Sequence, residues 1–122
     1  MSTLNVETIK SLGSSAPVFQ NSSGVEKGQL AKAWVRFNGT GTASITDSFN
    51  VSSITDIGTG TYGFEFENNM ANTNYAVFTS TVEDSDAGSD STFYTTTGFR
   101  CFCTDDGSFI DRELVACVVF GD

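Results

Sequence analysis

The fold is decided by residues Lys32–Phe66, KAWVRFNGTGTASITDSFNVSSITDIGTGTYGFEF. Lys32–Asn38 alternates Ala33, Val35 and Phe37 against Trp34 and Arg36. Ala43–Asp47 has its one large apolar residue at Ile45, and Phe49–Thr55 alternates Phe49 and Val51 with polar residues before Ile54 breaks the period. Thr61–Phe66 places Tyr62, Phe64 and Phe66 on one side. Alternation with a period of two over short runs marks half-buried strands. The joints are turn chemistry. Asn38-Gly39-Thr40-Gly41 is a hairpin signal, because Asn and Gly accept the positive φ of tight hairpin turns, and Asp56–Gly60 is a longer turn.

Downstream, Glu67–Asn74 reads as a loop and Tyr75–Val82 as a strand, with Ala76, Phe78, Ser80 and Val82 on one face. Glu83–Asp90 reads as an acidic loop and Thr92–Thr97 as β-rich by propensity. Phe99–Thr104 continues as strand, Asp105–Ser108 is a turn, and Glu113–Phe120 is apolar enough for a strand covered on both faces. No helix-period segment appears. Strands at this spacing predict an all-β fold, an antiparallel β-sandwich of about seven or eight strands, jelly-roll-like. The expected core is Phe37, Ile45, Phe49, Val51, Phe64, Phe78, Phe102, Val118 and Phe120.

Residues 1–28 differ. Leu4, Val6, Ile9, Leu12, Val18 and Phe19 are too sparse to close a core, and Gly13, Pro17 and Gly24 punctuate them. The domain reading is therefore an N-terminal connector or oligomerisation segment, 1–28, and a β-sandwich head, 29–122. A flexible leader is the plainer alternative for the first segment.

The chain has 122 residues, enough for one domain that buries roughly two-thirds of its unfolded surface. A net charge of −9 repels polyanions, so neither phosphate-based nucleic-acid binding nor attachment to anionic lipid is expected. No run of about 20 apolar residues is present, so no membrane insertion is expected. The N-terminus has no apolar h-region, so no signal peptide is read. Three Cys, an odd number, read as free buried thiols, with a Cys103–Cys117 cross-strand bridge as the sharper alternative.

Catalytic sets are missing from the sequence. There is no His to serve as a base or complete a zinc site, and no Ser sits in a strand-turn-helix elbow. The chain is read as a non-enzyme without cofactors. Asp84, Asp86 and Asp90, with Gly88, are weak metal candidates. The spacing departs from a helix-loop calcium site, which wants Gly at the sixth position and Glu at the twelfth. A solvated acidic loop is the plain reading. Trp34, Tyr62, Tyr75 and Tyr94 are candidates for stacking on a sugar ring, or for filling the core. Lys32 and Arg36 share the face of Trp34, which suggests a half-exposed or subunit-contact position.

Lys32–Gly41, Ile45–Tyr62 and Met70–Tyr75 together resemble a segment of tail-fibre and other virion appendage proteins of tailed phages, particularly marine cyanophages. The likeness continues weakly to Cys117–Gly121 and so covers most of the chain after residue 30. The resemblance implies a structural role in the virion (tail fibre, or capsid-mounted fibre or knob) that contributes to host attachment by multivalent binding. A homotrimer is expected on three grounds: residues 1–28 have too little apolar surface to fold alone, Leu114–Phe120 is apolar on both faces, and the phage fibres that the sequence resembles are generally trimeric. The expected partners are other virion proteins and a host surface glycan or protein, and the expected location is the virion, assembled in the host cytoplasm. It brings no catalytic residues, and the receptor-binding residues are not specified. The subunit contacts expected are Leu4, Val6 and Ile9 from the connector and one face of the first or last head strand, with Trp34 a candidate. Rival readings are a capsid decoration protein that only stabilises the shell, and a stand-alone carbohydrate-binding lectin.

Overall fold

The computed structural model describes residues 1–82 and 86–121. It is all-β and antiparallel. Among the described residues the sole helical piece is one 3-10 turn, Ser91–Phe93. The chain divides into two compact units, Met1–Leu30 and Ala31–Asp122.

The first unit holds one small hairpin, β1 (Phe19–Gln20) against β2 (Glu26–Gly28). Asn21 builds its turn: the side-chain oxygen accepts the Ser23 and Val25 N–H groups at 3.0 and 2.9 Å. Within this unit every residue except Ser11 and Pro17 is exposed, so it has no core of its own.

The second unit is a sandwich of two sheets. One holds β4 (Ser44–Phe49), β3 (Ala33–Asn38), β11 (Val115–Gly121) and β7 (Tyr75–Thr81), in that order. The other runs β10 (Ser108–Phe109), β9 (Gly98–Asp105), β6 (Thr61–Phe66) and β5 (Val51–Gly58), with β8 (Asp86–Ser89) on β9 as well. The turns follow from their residues. Asn38 Oδ1 accepts the Thr40 N–H at 2.8 Å, and Gly41 takes a positive φ. Asp106 and Gly107 both have positive φ, the conformation that closes a tight β9–β10 hairpin. Asn50, at φ 54°, carries the chain from one sheet to the other. Its amide holds that corner by donating to the Lys32 and Asn68 carbonyls at 3.1 Å and accepting the Asn68 N–H at 2.7 Å.

The core lies between the sheets. Ala33, Val35, Phe37, Val115, Cys117, Val119 and Tyr75 face Val51, Tyr62, Phe64, Phe66, Phe99, Cys101 and Cys103, with Met70 closing one end. Its centre is aromatic: Phe37 meets Tyr62 edge-on at 4.9 Å between ring centroids, and Phe64 stacks on Phe99 at 5.1 Å. Among the described residues no polar or charged residue is fully buried.

Of the expected core, Phe37, Val51 and Phe64 are buried, whereas Ile45, Phe102 and Val118 are half-buried. Phe49, Phe78 and Phe120 are exposed, a correction with two causes. First, a bulge in the β3–β4 pair leaves Thr46 unpaired, so Ile45 stands opposite Phe37 and faces in, while Phe49 stands opposite Trp34 and faces out. Second, β7 and β11 offer plausible apolar sets on both faces, and the inward sets proved to be Tyr75, Val77, Thr79 and Thr81 on β7 and Val115, Cys117 and Val119 on β11. Cys117 is aligned with Val35 and Thr79, and this places Val118, Phe78 and Phe120 on the outer face. The reading of β11 as covered on both faces therefore fails within this chain.

Two local readings also change. Asp86–Ser89, expected within an acidic loop, is strand β8, because pairing with Cys101–Thr104 overrides its turn-rich composition. Thr92–Thr97, expected as β-rich, opens in the 3-10 turn and continues as irregular chain. Asp90 Oδ1 accepts the Thr92 N–H at 3.0 Å, a local bond that competes with a sheet ladder.

Candidate functional site

The outer face of the four-stranded sheet carries the most distinctive surface of the head. Trp34 stands opposite Phe49 on one side and Val118 on the other, and Val118 stands opposite Phe78. The four side chains form one row across all four strands, Phe49–Trp34–Val118–Phe78. Phe120, two residues beyond Val118 on the same face, meets Phe78 edge-on at 6.2 Å. Phe49 is 54 % exposed and Phe78 62 %. Residues directly opposite on neighbouring strands hold their Cβ atoms about 4.5–5.5 Å apart, so this row is a continuous apolar ladder.

The row beside it is polar except at Ala116: Asp47, Arg36, Ala116 and Ser80 stand in line across the same strands. Lys32, just before β3, is held by its N–H to the Val119 carbonyl at 2.8 Å. Among the described residues this face pairs Arg36 with Asp47, opposite charges directly across neighbouring strands, in a chain of net charge −9.

Other candidates fall elsewhere. Leu4, Val6 and Ile9 are exposed in the first unit. Tyr62 and Tyr75 are core residues. The Tyr62 hydroxyl lies 3.0 Å from the Gly39 carbonyl oxygen and 2.8 Å from Asp111 Oδ1, and that oxygen also accepts the Gly60 N–H at 2.7 Å. Gly39 leaves room for this hydroxyl, because a Cβ there would sit 2.1 Å from it. Burial, then the bond to Asp111, pushes the Tyr62 hydroxyl well above the usual tyrosine range. Burial pushes Tyr75 up to about 12, and its hydroxyl bonds to the Thr95 and Gly98 carbonyls. Tyr94 stacks on Tyr75 at 4.8 Å with its hydroxyl against that of Ser89. Neither Tyr62 nor Tyr75 presents a ring face to solvent.

The three thiols are free and buried. Burial raises Cys103 to about 11, and the bond to Cys117, together with burial, raises Cys101. Asp84 lies outside the described residues. Asp86 opens β8, and Asp90 is engaged with Thr92. Among the described residues no three His, Cys, Asp or Glu side chains come together as an ion site. No helix of the described residues is long and apolar enough to cross a membrane.

Of the expected contact residues, Trp34 alone is joined by further candidates in the structure. Phe49, Val118, Phe78 and Phe120 were expected in the core. The one signal in the sequence lies on β3, where Arg36 shares the face of Trp34; which strands stand beside β3, and in what register, shows only in the pairing.

Comparison with family models, with curated proteins and with solved structures finds no match.

Proposed function

We propose that this chain is a structural protein of a phage virion appendage, a tail fibre or a capsid-mounted fibre or knob, that contributes to host attachment by multivalent binding. The observation that carries the reading is the division of labour along the chain. A segment with no core of its own, exposing Leu4, Val6 and Ile9, precedes a packed sandwich with an exposed apolar ladder. Such a chain suits assembly with copies of itself, and the sequence likeness of Lys32–Tyr62 to virion appendage proteins supplies the context. The assembly is a homotrimer that joins other virion proteins. Three heads on one base gain avidity for a host surface glycan or protein that each head binds weakly. The role is binding and display, without catalysis.

Labelled antibody against the purified chain, applied to intact particles, tests the reading. Label at tail or capsid fibres is expected. Particles that contain the chain but carry no label, with label appearing only on disrupted particles, would sink it. Binding of the purified chain to whole host cells rather than to isolated capsids separates attachment from shell decoration.

A further inference from the structure

We infer that the ladder Phe49–Trp34–Val118–Phe78, with Phe120, is the surface by which heads of this chain pack on one another. The inference rests on the self-association proposed above and names the head surface that carries it. Three arguments select a second copy as the occupant.

The first is charge. Most surfaces of a chain with net charge −9 repel a copy of themselves. On this face the charges are paired: Arg36, one of the six basic residues, stands directly opposite Asp47. The second is complementarity. Arg36 and Asp47 lie in one row, so a copy related by a rotation axis can set its Asp47 against this Arg36 while ladder meets ladder. The third is area. Strands about 4.8 Å apart and rising about 3.3 Å per residue make the face roughly 15–20 Å on a side. That is less than the about 800 Å² per partner of a lasting stand-alone interface. The ladder is thus sized as the apolar centre of a larger contact between copies, with the rest supplied elsewhere in the association.

Trp34 reports on the proposal directly. It is the only tryptophan, and it sits in the middle of the ladder. Full-length chain is followed by sedimentation and by Trp34 fluorescence with an iodide or acrylamide quencher, over a dilution series. The expected result is a shielded, blue-shifted Trp34 in the oligomer that becomes quenchable and red-shifted as the oligomer dissociates. Phe78→Glu and Phe49→Glu, at opposite ends of the row, raise the dissociation constant by about tenfold or more. Phe109→Glu, an exposed phenylalanine on the other sheet, leaves it unchanged. Circular dichroism checks that each variant keeps its β-sheet.

An oligomer whose Trp34 stays freely quenched, and which Phe78→Glu does not weaken, overturns the ladder contact while leaving the self-association intact. A monomer at every concentration with Trp34 quenchable overturns both. A monomer at every dilution whose Trp34 stays shielded overturns the contact between heads.

Discussion

The Tyr62 hydroxyl lies 2.8 Å from Asp111 Oδ1, a bond across 49 residues of sequence, and the same carboxylate oxygen accepts the Gly60 N–H at 2.7 Å. One acid thus ties the β5–β6 turn, a core tyrosine and the segment between β10 and β11. Removing it leaves a partly buried N–H without its partner. Asp111→Ala is expected to cost about 1–3 kcal/mol, and Asp111→Asn less, because the amide oxygen can still accept. Tyr62→Phe is expected to cost about 1.5–3 kcal/mol, the range for a hydrogen bond to a charged group. Urea unfolding of the three variants checks the order. A neutral Asp111→Ala would show that the bond does not hold this end of the sandwich.

Phe64 and Phe78 separate core from surface. Phe64 is 3 % exposed and touches the rings of Phe37 and Phe99, whereas Phe78 points outward. Phe64→Ala is expected to cost about 3–5 kcal/mol, by lost burial plus the cavity left behind. Phe78→Ala is expected to change the stability of the dissociated chain by about 0.5 kcal/mol or less. Equal losses, measured by denaturant titration at a concentration where the chain is monomeric, would show that β7 faces the other way.

The contrast between these two phenylalanines shows what the sequence could carry. Where one face of a strand is clearly more apolar, as in Ala33-Val35-Phe37 and Tyr62-Phe64-Phe66, the inward set was legible, and with it the antiparallel all-β sandwich. In Val115–Gly121 nearly every residue is apolar, so alternation has no contrast to report, and register with β3 and β7 decides the phase. The unpaired Thr46 is silent in another way. It inverts the facing of Phe49 relative to Ile45, and nothing in the local composition announces a bulge. The ladder was hidden for the same reason. It is assembled from four strands, and only Trp34 was placed outward by its charged neighbours. Strand β8 was missed because Asp, Gly and Ser are poor strand formers, and its pairing partner lies beyond the 3-10 turn.

The cysteines are expected to be protected by the fold and not by bonding. Cys101, Cys103 and Cys117 are fully buried and free. Native protein should react slowly with a thiol reagent, at a rate set by opening of the sandwich, and all three thiols should titrate in denaturant without reductant. One reactive thiol after denaturation would establish a bridge between the other two. Three fast thiols in native buffer would contradict the packing of β9 against β11.

Alkaline pH should unfold the sandwich, and the sign follows from the raised groups. Burial first, and the bond to Asp111 second, raise Tyr62; burial raises Tyr75 to about 12 and Cys103 to about 11. In the unfolded chain the same groups ionise at roughly 8.5–10. The folded state therefore holds protons that the unfolded state has lost, and stability falls as pH rises. The contribution of these groups is fully present below about pH 8 and is lost progressively from there towards the folded values. Between the unfolded and folded values each group costs about 1.4 kcal/mol per pH unit. The expected observation is a melting temperature that is level to about pH 8 and then drops with increasing slope, with unfolding and tyrosinate absorbance appearing together. Tyr75→Phe, which removes one of the three groups, should make the alkaline slope shallower by about 1.4 kcal/mol per pH unit while lowering stability at neutral pH. A melting temperature unchanged up to pH 11, or tyrosinate from more than one of the three tyrosines formed while the β-sheet signal persists, would show that the rings of Tyr62 and Tyr75 are open to solvent.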